Sequence, residues 1–169
     1  MRYRCLVLDH DDTVVNSTAT IHFPCFCAFV KKVRPQAKPY TLEEYFRKNF
    51  DPGIIPFFTD EIGLSPKELD DEFLFWQDYV KPRVPQVFPG MRAILERHKA
   101  QGGILAVVSH STKDAIARDY RENHLPEPDV IYSWDLPPEQ RKPSPWALFE
   151  IMKQFSLEAK DLLMLDDLK

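Results

Sequence analysis

The sequence predicts an α/β fold in which a doubly wound parallel sheet carries an inserted all-helical domain. Short apolar runs, each long enough for one buried strand, occur at residues 3–8, 104–108, 129–133 and 162–165. Stretches with helical periodicity separate the last three runs, and this alternation is typical of parallel sheets. The stretch from about 17 to 82 contains helix signals but no convincing strand, so we expect a helical insert after the first strand.

Two capping signals mark helices inside the insert. Thr41 is followed three positions later by Glu44, and Ser65 is followed by Glu68, which is the pattern of a capping box. These signals and the apolar spacing predict helices over about 17–33, 41–49 and 65–80. The aromatic residues expected in the core of the insert are Phe26, Phe29, Phe73 and Trp76.

The remaining helices belong to the sheet domain. An amphipathic pattern over 90–100 stops near Gly102-Gly103, which is typical of a helix C-terminus. Further helices are expected after Ser109-His110-Ser111 and over 145–155. We therefore divide the chain into a Rossmann-like core of residues 1–15 and 84–169 and a helical cap of residues 16–83.

Composition excludes several classes of function. The formal net charge is −4, and the absence of a basic block argues against general nucleic-acid binding. No apolar run approaches the roughly 20 residues of a transmembrane helix. The N-terminus does not resemble a signal peptide, so we expect a cytoplasmic protein without a membrane partner. Cys5, Cys25 and Cys27 lie among apolar neighbours, and we expect reduced, buried thiols.

Polar side chains follow the predicted strands or lie in the loops between elements. The first apolar run ends in three carboxylates within four positions, Asp9, Asp11 and Asp12. Carboxylates this close repel one another unless a cation lies among them, and Mg²⁺ prefers hard oxygen ligands. Because the carboxyl ends of parallel strands meet at one sheet edge, we expect these groups to converge with later polar residues, namely Ser109, Lys142, Asp166 and Asp167.

The order of these residues resembles that of the haloacid dehalogenase-like hydrolase superfamily. Its four motifs match Asp9-His10-Asp11-Asp12-Thr13, Val107-Val108-Ser109, Lys142-Pro143-Ser144-Pro145 and Leu165-Asp166-Asp167. The resemblance spans the whole chain, and a helical insert between the first two motifs is what the superfamily calls a type 1 cap. Phe88-Pro89-Gly90 looks like the branch that contains phosphoglycolate phosphatase and β-phosphoglucomutase.

The resemblance implies a Mg²⁺-dependent phosphomonoester hydrolase that acts on a small phosphorylated metabolite through an aspartyl-phosphate intermediate. Asp9 would be the nucleophile, and Asp11 would be the general acid and base. Ser109 would hydrogen-bond the phosphoryl group, and Lys142 would neutralise the charge near it. The implied metal ligands are Asp9, the backbone carbonyl of Asp11, and Asp167, with Asp166 acting through water.

Candidates for substrate contact are His10, Asp12, His110, Arg47 and Lys48. Arg47 and Lys48 fall where related caps contact the substrate, and His10 stands where the superfamily often has an aromatic residue. Asp12 occupies a position where the superfamily usually has Gly. At about 6 Å and an effective dielectric of about 20, its charge would repel each unit of phosphate charge by roughly 3 kcal/mol, so we expect its side chain to point away from the metal.

Several alternatives remain open at the level of the sequence. A phosphomutase of the same superfamily would transfer phosphate between sugars instead of releasing it. A receiver-type phosphorylation switch uses similar residues, and a non-enzymatic interaction protein would keep only the fold. We expect a monomer or a homodimer. The sequence ends at Lys169, just beyond the fourth motif, so we expect the C-terminal edge of the core sheet to be missing.

Overall fold

A computed structural model describes residues 2–167, which fold into two compact units. The sheet unit consists of the N-terminal segment up to Asn16 together with the chain from Val84 onward, and the helical unit is Ser17–Arg83. The first boundary lies one residue later than the sequence predicts, and the second lies at the predicted position.

The elements of the described chain follow the predicted order. The strands are β1 (Cys5–Leu8), β2 (Val15–Asn16), β3 (Gln86–Val87), β4 (Ile104–Val108), β5 (Val130–Tyr132) and β6 (Leu162–Leu165). The α-helices are α1 (Phe23–Val33), α2 (Leu42–Lys48), α3 (Ile54–Pro56), α4 (Pro66–Val80), α5 (Met91–Ala100), α6 (Lys113–Glu122) and α7 (Trp146–Phe155). Within residues 2–167, none of the helices combines the length and the apolar composition needed to cross a membrane.

Short helical turns complete the architecture. The helical unit has π-helical turns at Thr18–His22, Asn49–Gly53 and Phe57–Glu61. The sheet unit has 3₁₀ turns at Pro138–Gln140 and Ala159–Asp161. The second of these turns leads directly into β6.

The sheet unit is built on a four-stranded parallel sheet in the order β5-β4-β1-β6. β1 lies in the interior, with Leu6 opposite Leu105 on one side and Leu163 on the other. This confirms the predicted parallel α/β fold. The strand order places the carboxyl ends of β4, β1 and β6 side by side, and that edge is where α/β sheets bind ligands.

Helices cover both faces of this sheet. On one face, Leu6 and Leu8 pack with residues of α5 and α6. On the other face, Cys5 and Val7 pack with residues of α7. Successive strand residues point to opposite faces, so a strand that is covered on both sides is apolar throughout, which explains the continuous apolar runs in the sequence.

A two-stranded antiparallel ribbon of β2 and β3 is the element that sequence analysis missed. Val15 lies opposite Val87, and Asn16 lies opposite Gln86. The ribbon pairs the segments on either side of the insert, so the sheet unit closes on itself at the point where the chain leaves it. Strands of two residues are too short to show a periodic pattern.

Both predicted capping boxes are present in the helical unit. The backbone N–H of Glu44 donates to Thr41 Oγ1 at 3.1 Å, and Thr41 N–H donates to Glu44 Oε2 at 2.8 Å. Ser65 and Glu68 make the same reciprocal pair at the start of α4. These bonds satisfy N–H groups that the helix itself leaves unpaired.

Aromatic side chains form the core of the helical unit. The Phe26 ring lies 4.7 Å from the Tyr45 ring and 5.4 Å from the Phe57 ring, centroid to centroid. Phe73, which its spacing assigned to this core, is instead 50% exposed, and its ring stacks on Trp76 at 6.0 Å. The apolar spacing on α4 therefore predicted the helix correctly, but the prediction that Phe73 lies in the core was wrong.

The cysteines are free thiols, as predicted, and Cys5 and Cys25 are buried. Burial raises the pKa of Cys5 to about 11 and that of Cys25 to about 12. Thiols of this kind stay protonated near neutral pH and are poor nucleophiles. Cys5 therefore contributes to packing in the sheet unit, and Cys25 contributes to packing in the helical unit.

Candidate active site

The candidate site lies at the carboxyl edge of the parallel sheet, where polar residues follow three adjacent strands. Asp9 follows β1, Ser109 follows β4, and Asp166 and Asp167 follow β6. The backbone N–H of Asp9 donates to the carbonyl of Leu165 at 2.9 Å. Strand pairing therefore continues up to the site and fixes the start of the loop that carries Asp9.

Lys142 reaches this edge from the loop between the 3₁₀ turn at Pro138–Gln140 and α7. Its Nζ donates to Asp9 Oδ1 at 2.7 Å and to Asp166 Oδ2 at 3.0 Å. The three side chains are largely buried, and a buried charge is tolerated only when it is paired. Lys142 therefore holds two carboxylates from neighbouring strands together.

The pKa values of Asp9 and Lys142 reflect both burial and charge. Burial raises the pKa of Asp9 to about 6, although the charge and hydrogen bond of Lys142 oppose the rise. Burial alone would lower the pKa of Lys142, but the attraction of Asp9 and Asp166 outweighs it and the pKa is raised. Lys142 is therefore a permanent cation at the site, and it favours the ionised form of Asp9.

Asp9, Asp166 and Asp167 form an acidic cluster, in which each side chain offers one oxygen within 4.8 Å of the others. Burial raises the pKa of Asp167, and the charges of Asp12 and Asp166 raise it further. Clustered carboxylate oxygens are the donor set that Mg²⁺ prefers, and a divalent cation would relieve their repulsion. The residues present therefore fit the metal that the motifs imply.

Backbone hydrogen bonds close the loop that follows β1. The carbonyl of His10 accepts the N–H groups of Val14 at 3.0 Å and of Val15 at 3.1 Å, and Asp12 N–H donates to the Val15 carbonyl at 2.7 Å. Asp12 has a φ of 57°, in the left-handed region that Gly adopts freely and Asp tolerates better than most residues. This geometry explains why Gly is usual at this position and why Asp can replace it.

The charge of Asp12 acts on the acidic cluster. It is the largest cause, after burial, of the raised pKa of Asp167. The sequence argument expected the Asp12 side chain to point away from the metal, and that orientation stays a prediction. A charge that raises the pKa of Asp167 adds to the negative potential that a cation would meet.

Ser109 and Ser111 connect the loop after β4 with the loop after β1. The buried Ser109 is fixed by its own N–H, which donates to the carbonyl of Tyr132 at 3.0 Å. Ser109 Oγ accepts the backbone N–H of Ser111 at 3.1 Å, and Ser111 Oγ donates to Asp11 Oδ2 at 2.5 Å. Sequence analysis assigned no role to Ser111, because its partner lies 100 residues away in the chain.

His10 lies in the core beside the site. It is 1% exposed, its Nε2 is 3.1 Å from Asp119 Oδ2, and its ring stacks on Tyr120 at 5.9 Å. Arg118 holds the other oxygen of Asp119 through two N–H groups at 2.8 and 2.7 Å. The structure therefore gives His10 a buried partner on α6 and no open surface for a substrate.

His110 is exposed and lies beside the loop that carries Lys142. Its Nε2 is 3.0 Å from the backbone carbonyl of Lys142, and its ring meets the edge of Trp134 at 5.9 Å. The guanidinium of Arg141 lies over the same Trp134 ring at 4.1 Å. This exposed position next to Ser109 keeps His110 a candidate for substrate contact.

Arg47 and Lys48 lie in the last turn of α2, in the helical unit. The Lys48 ammonium pairs with Glu61 of the same unit. Their predicted contact with a substrate remains a prediction, and Arg47 is the better candidate because the charge of Lys48 is already compensated.

Comparison with protein families gives one match that covers nearly the whole chain. The model of the haloacid dehalogenase-like hydrolases matches residues 6–169. The matched segment contains all four motifs at the sheet edge. Among curated protein sequences, no match was found.

Solved structures with the same fold include several hydrolases. A predicted phosphoglycolate phosphatase from Haemophilus somnus is 20% identical, with a TM-score of 0.74, over 97% of this chain and 76% of its own. A haloacid dehalogenase-like hydrolase from Streptococcus pneumoniae is 18% identical, with a TM-score of 0.72, over 99% and 77%. CbbY from Rhodobacter sphaeroides, solved with xylulose 1,5-bisphosphate, is 17% identical, with a TM-score of 0.71, over 98% and 78%.

Proposed function

Because the chain belongs to the haloacid dehalogenase-like hydrolase family, we propose that it is a Mg²⁺-dependent phosphatase that hydrolyses a small phosphomonoester through an aspartyl-phosphate intermediate. The observation that carries the proposal is the position of Lys142, whose Nζ bridges Asp9 and Asp166 at 2.7 and 3.0 Å. A buried cation beside a carboxylate nucleophile attracts a phosphate dianion to the point of attack.

In the first step, a carboxylate oxygen of Asp9 attacks phosphorus while the bond from phosphorus to the ester oxygen breaks. Asp11 gives its proton to that departing oxygen, so the alcohol leaves neutral. Lys142 offsets the charge that Asp9 and the phosphoryl group share, and Ser109 donates its hydroxyl hydrogen to a phosphoryl oxygen. Ser109 Oγ already accepts an N–H from Ser111, which leaves the hydroxyl hydrogen for this role.

In the second step, Asp11, now ionised, takes a proton from water as the water oxygen attacks the phosphorus of the aspartyl phosphate. The bond to Asp9 breaks, and inorganic phosphate and the Asp9 carboxylate are released. Dividing the displacement into two steps lets one nucleophile and one acid–base group serve both halves. Acid–base help of this kind is typically worth about 10²–10⁴ in rate.

Asp9 and Asp167 would hold Mg²⁺ directly, together with the backbone carbonyl of Asp11, and Asp166 would act through water. The acidic cluster supports this assignment, since its three carboxylates each have an oxygen within 4.8 Å of the others. Bound Mg²⁺ supplies charge neutralisation and orientation of the phosphoryl oxygens.

The substrate class is inferred from the fold relatives and the site together. One relative is described as a phosphoglycolate phosphatase, and another holds a sugar bisphosphate. Small phosphorylated metabolites of this kind suit a cation-bearing site at a sheet edge. The helical unit would act as a cap that supplies specificity, with Arg47 as the residue we expect to contact an anionic substrate group.

Phosphate release from a panel of phosphorylated metabolites and from 4-nitrophenyl phosphate tests the proposal. We expect turnover with Mg²⁺ and none after EDTA treatment, with recovery when Mg²⁺ is restored. Asp9→Asn should retain under roughly 1% of the wild-type rate, since an amide cannot form the acyl phosphate. Asp114→Asn, an exposed change on α6, is the matched control and should keep full activity. Turnover by Asp9→Asn close to that of Asp114→Asn would overturn the mechanism.

A further inference from the structure

We propose that Ser111 is a positioning residue that holds the Asp11 carboxylate in the orientation needed for proton transfer. The inference deepens the proposed phosphatase function and rests on it. Ser111 Oγ donates to Asp11 Oδ2 at 2.5 Å, a length typical of a strong hydroxyl–carboxylate hydrogen bond. The two residues belong to different loops, so the bond fixes one part of the site against another.

The backbone of Ser111 is itself held firmly. Its N–H donates to Ser109 Oγ at 3.1 Å, and its carbonyl accepts the N–H of Trp134 at 2.9 Å. The loop that follows it starts α6 at Lys113. Ser111 is therefore a rigid support, and its hydroxyl presents a donor at a defined position to the Asp11 side chain.

The backbone around Asp11 is also fixed. Neighbouring residues His10 and Asp12 bond to Val14 and Val15 and close the loop around Asp11. Rotation about the Cα–Cβ bond still gives an Asp side chain three staggered rotamers. With one carboxylate oxygen held by Ser111, the direction of the second oxygen is set as well.

This role has a distinct consequence for the chemistry. As the ester bond breaks, the departing oxygen takes a proton from Asp11 while Asp9 forms its bond to phosphorus. A 4-nitrophenolate leaves readily as an anion, whereas an alkoxide does not. Poor alignment of Asp11 should therefore slow this first step for alkyl phosphates much more than for 4-nitrophenyl phosphate, because only the alkyl substrates depend strongly on the acid.

The test compares kcat/KM on two substrates in the same protein preparation, because kcat/KM covers the steps up to the departure of the alcohol and not the later attack of water, in which Asp11 acts on both substrates alike. One is 4-nitrophenyl phosphate, and the other is an alkyl phosphate that the wild-type protein hydrolyses, glycerol 3-phosphate or 2-phosphoglycolate. Ser111→Ala should lower kcat/KM on the alkyl phosphate about tenfold and on 4-nitrophenyl phosphate less than about twofold. The ratio of the two kcat/KM values does not depend on the fraction of active protein, so partial misfolding does not affect it.

Two further variants separate positioning from general structural damage. Ser111→Thr keeps the hydroxyl and should restore the wild-type ratio. Ser133→Ala is the matched control, since Ser133 is buried at the end of β5 and its Oγ donates to Asp135 Oδ2 at 2.8 Å. It removes a Ser–Asp hydrogen bond of the same kind that does not involve Asp11, and it should leave the ratio unchanged.

The outcomes distinguish this inference from the proposed function. If the wild type releases phosphate and Asp9→Asn does not, the function stands. An equal loss on both substrates in Ser111→Ala, or no loss, then overturns the role of Ser111 alone. If the wild type releases phosphate from neither substrate class, the proposed function fails and this inference fails with it.

Discussion

The sheet unit and the helical unit bury different kinds of side chain. Beside its apolar core, the sheet unit buries polar and ionisable groups in hydrogen-bonded pairs, such as Asp9 with Lys142 and His10 with Asp119. The helical unit buries a cluster of aromatic rings around Phe57, and its charged residues lie mainly at helix starts and in surface pairs. The comparison indicates that reactive chemistry is concentrated in the sheet unit, and that aromatic packing forms the core of the helical unit.

This difference can first be tested where packing dominates. Phe57 is fully buried and its ring lies within 5.8 Å of the Phe26 and Phe58 rings. Phe57→Ala should lower the free energy of unfolding by about 3–5 kcal/mol, because it leaves a cavity in an aromatic core. Urea denaturation measures the change. Phe50→Ala, at a position that is 46% exposed, is the control, and an equal loss in both variants would contradict the packing account.

The second largest effect is expected at the charged trio of the sheet unit. Lys142→Met keeps much of the side-chain volume but removes the cation between Asp9 and Asp166. We expect kcat to fall about 100-fold, equivalent to about 2.7 kcal/mol, because the phosphoryl charge is no longer offset. Lys153→Met on the exposed side of α7 should leave kcat unchanged. Comparable rates for the two variants would show that Lys142 has no electrostatic role.

A third change tests the buried His10–Asp119 pair. His10→Phe preserves a ring against Tyr120 but removes one partner of a buried carboxylate. Stability should fall by about 2 kcal/mol in chemical denaturation, since Arg118 still holds the other oxygen. Adding Asp119→Leu should recover part of the loss, because the carboxylate oxygen that lost its hydrogen-bond partner is then gone. If the double variant is less stable than His10→Phe, the pair is not the cause of the loss.

The smallest effect is expected at Glu72, the exception to the pattern in the helical unit. Burial raises its pKa from 4.5 to about 7, so the folded protein holds a proton that the unfolded chain releases between those values. The stability this provides is present below pH 4.5 and is lost as the pH rises through 7. Glu72→Gln should therefore stabilise the protein at pH 8 by about 1 kcal/mol, allowing for partial exposure, and by much less at pH 5.

Glu68→Gln, in the same unit, should change the stability of the protein in the opposite direction. Its hydrogen bonds with Arg34 and Ser65 lower the pKa of Glu68 to about 2. Stability from the ionised carboxylate is present above pH 4.5 and is lost as the pH falls through 2, so Glu68→Gln should destabilise the protein at neutral pH. Thermal denaturation at several pH values measures both variants. Parallel pH profiles for the two would contradict the assignment of opposite environments.

The sequence predicted the elements of both units because each had a local pattern. Capping residues such as Thr41 and Ser65 satisfy helix N–H groups within one turn, and the apolar runs mark strands that are covered on both faces. The motif residues Asp9 and Lys142 were identified by their order and spacing, and the parallel sheet brings them together. What these signals share is that each can be read within a few positions of the chain.

The remaining features depend on contacts between residues that are far apart in the chain, which a local sequence pattern does not predict. His10 and Asp119 are 109 positions apart, and Asp11 and Ser111 are 100 positions apart. Phe73 is exposed because of the way α4 is rotated about its axis against its neighbours, and helical spacing alone does not determine that rotation. Asp12 follows β1 and Asp167 follows β6, so their electrostatic interaction also joins residues that are distant in the chain.

The most direct test of the account is to trap the phosphoryl group on Asp9. Asp11→Asn lacks the base that activates water, so 4-nitrophenyl phosphate should phosphorylate Asp9 and the intermediate should accumulate. Acid quenching followed by peptide mass spectrometry should locate one phosphoryl group on Asp9, and none should form in Asp9→Asn/Asp11→Asn. A variant that turns over slowly without any phosphorylated Asp9, or that carries the group on another residue, would contradict the central claim.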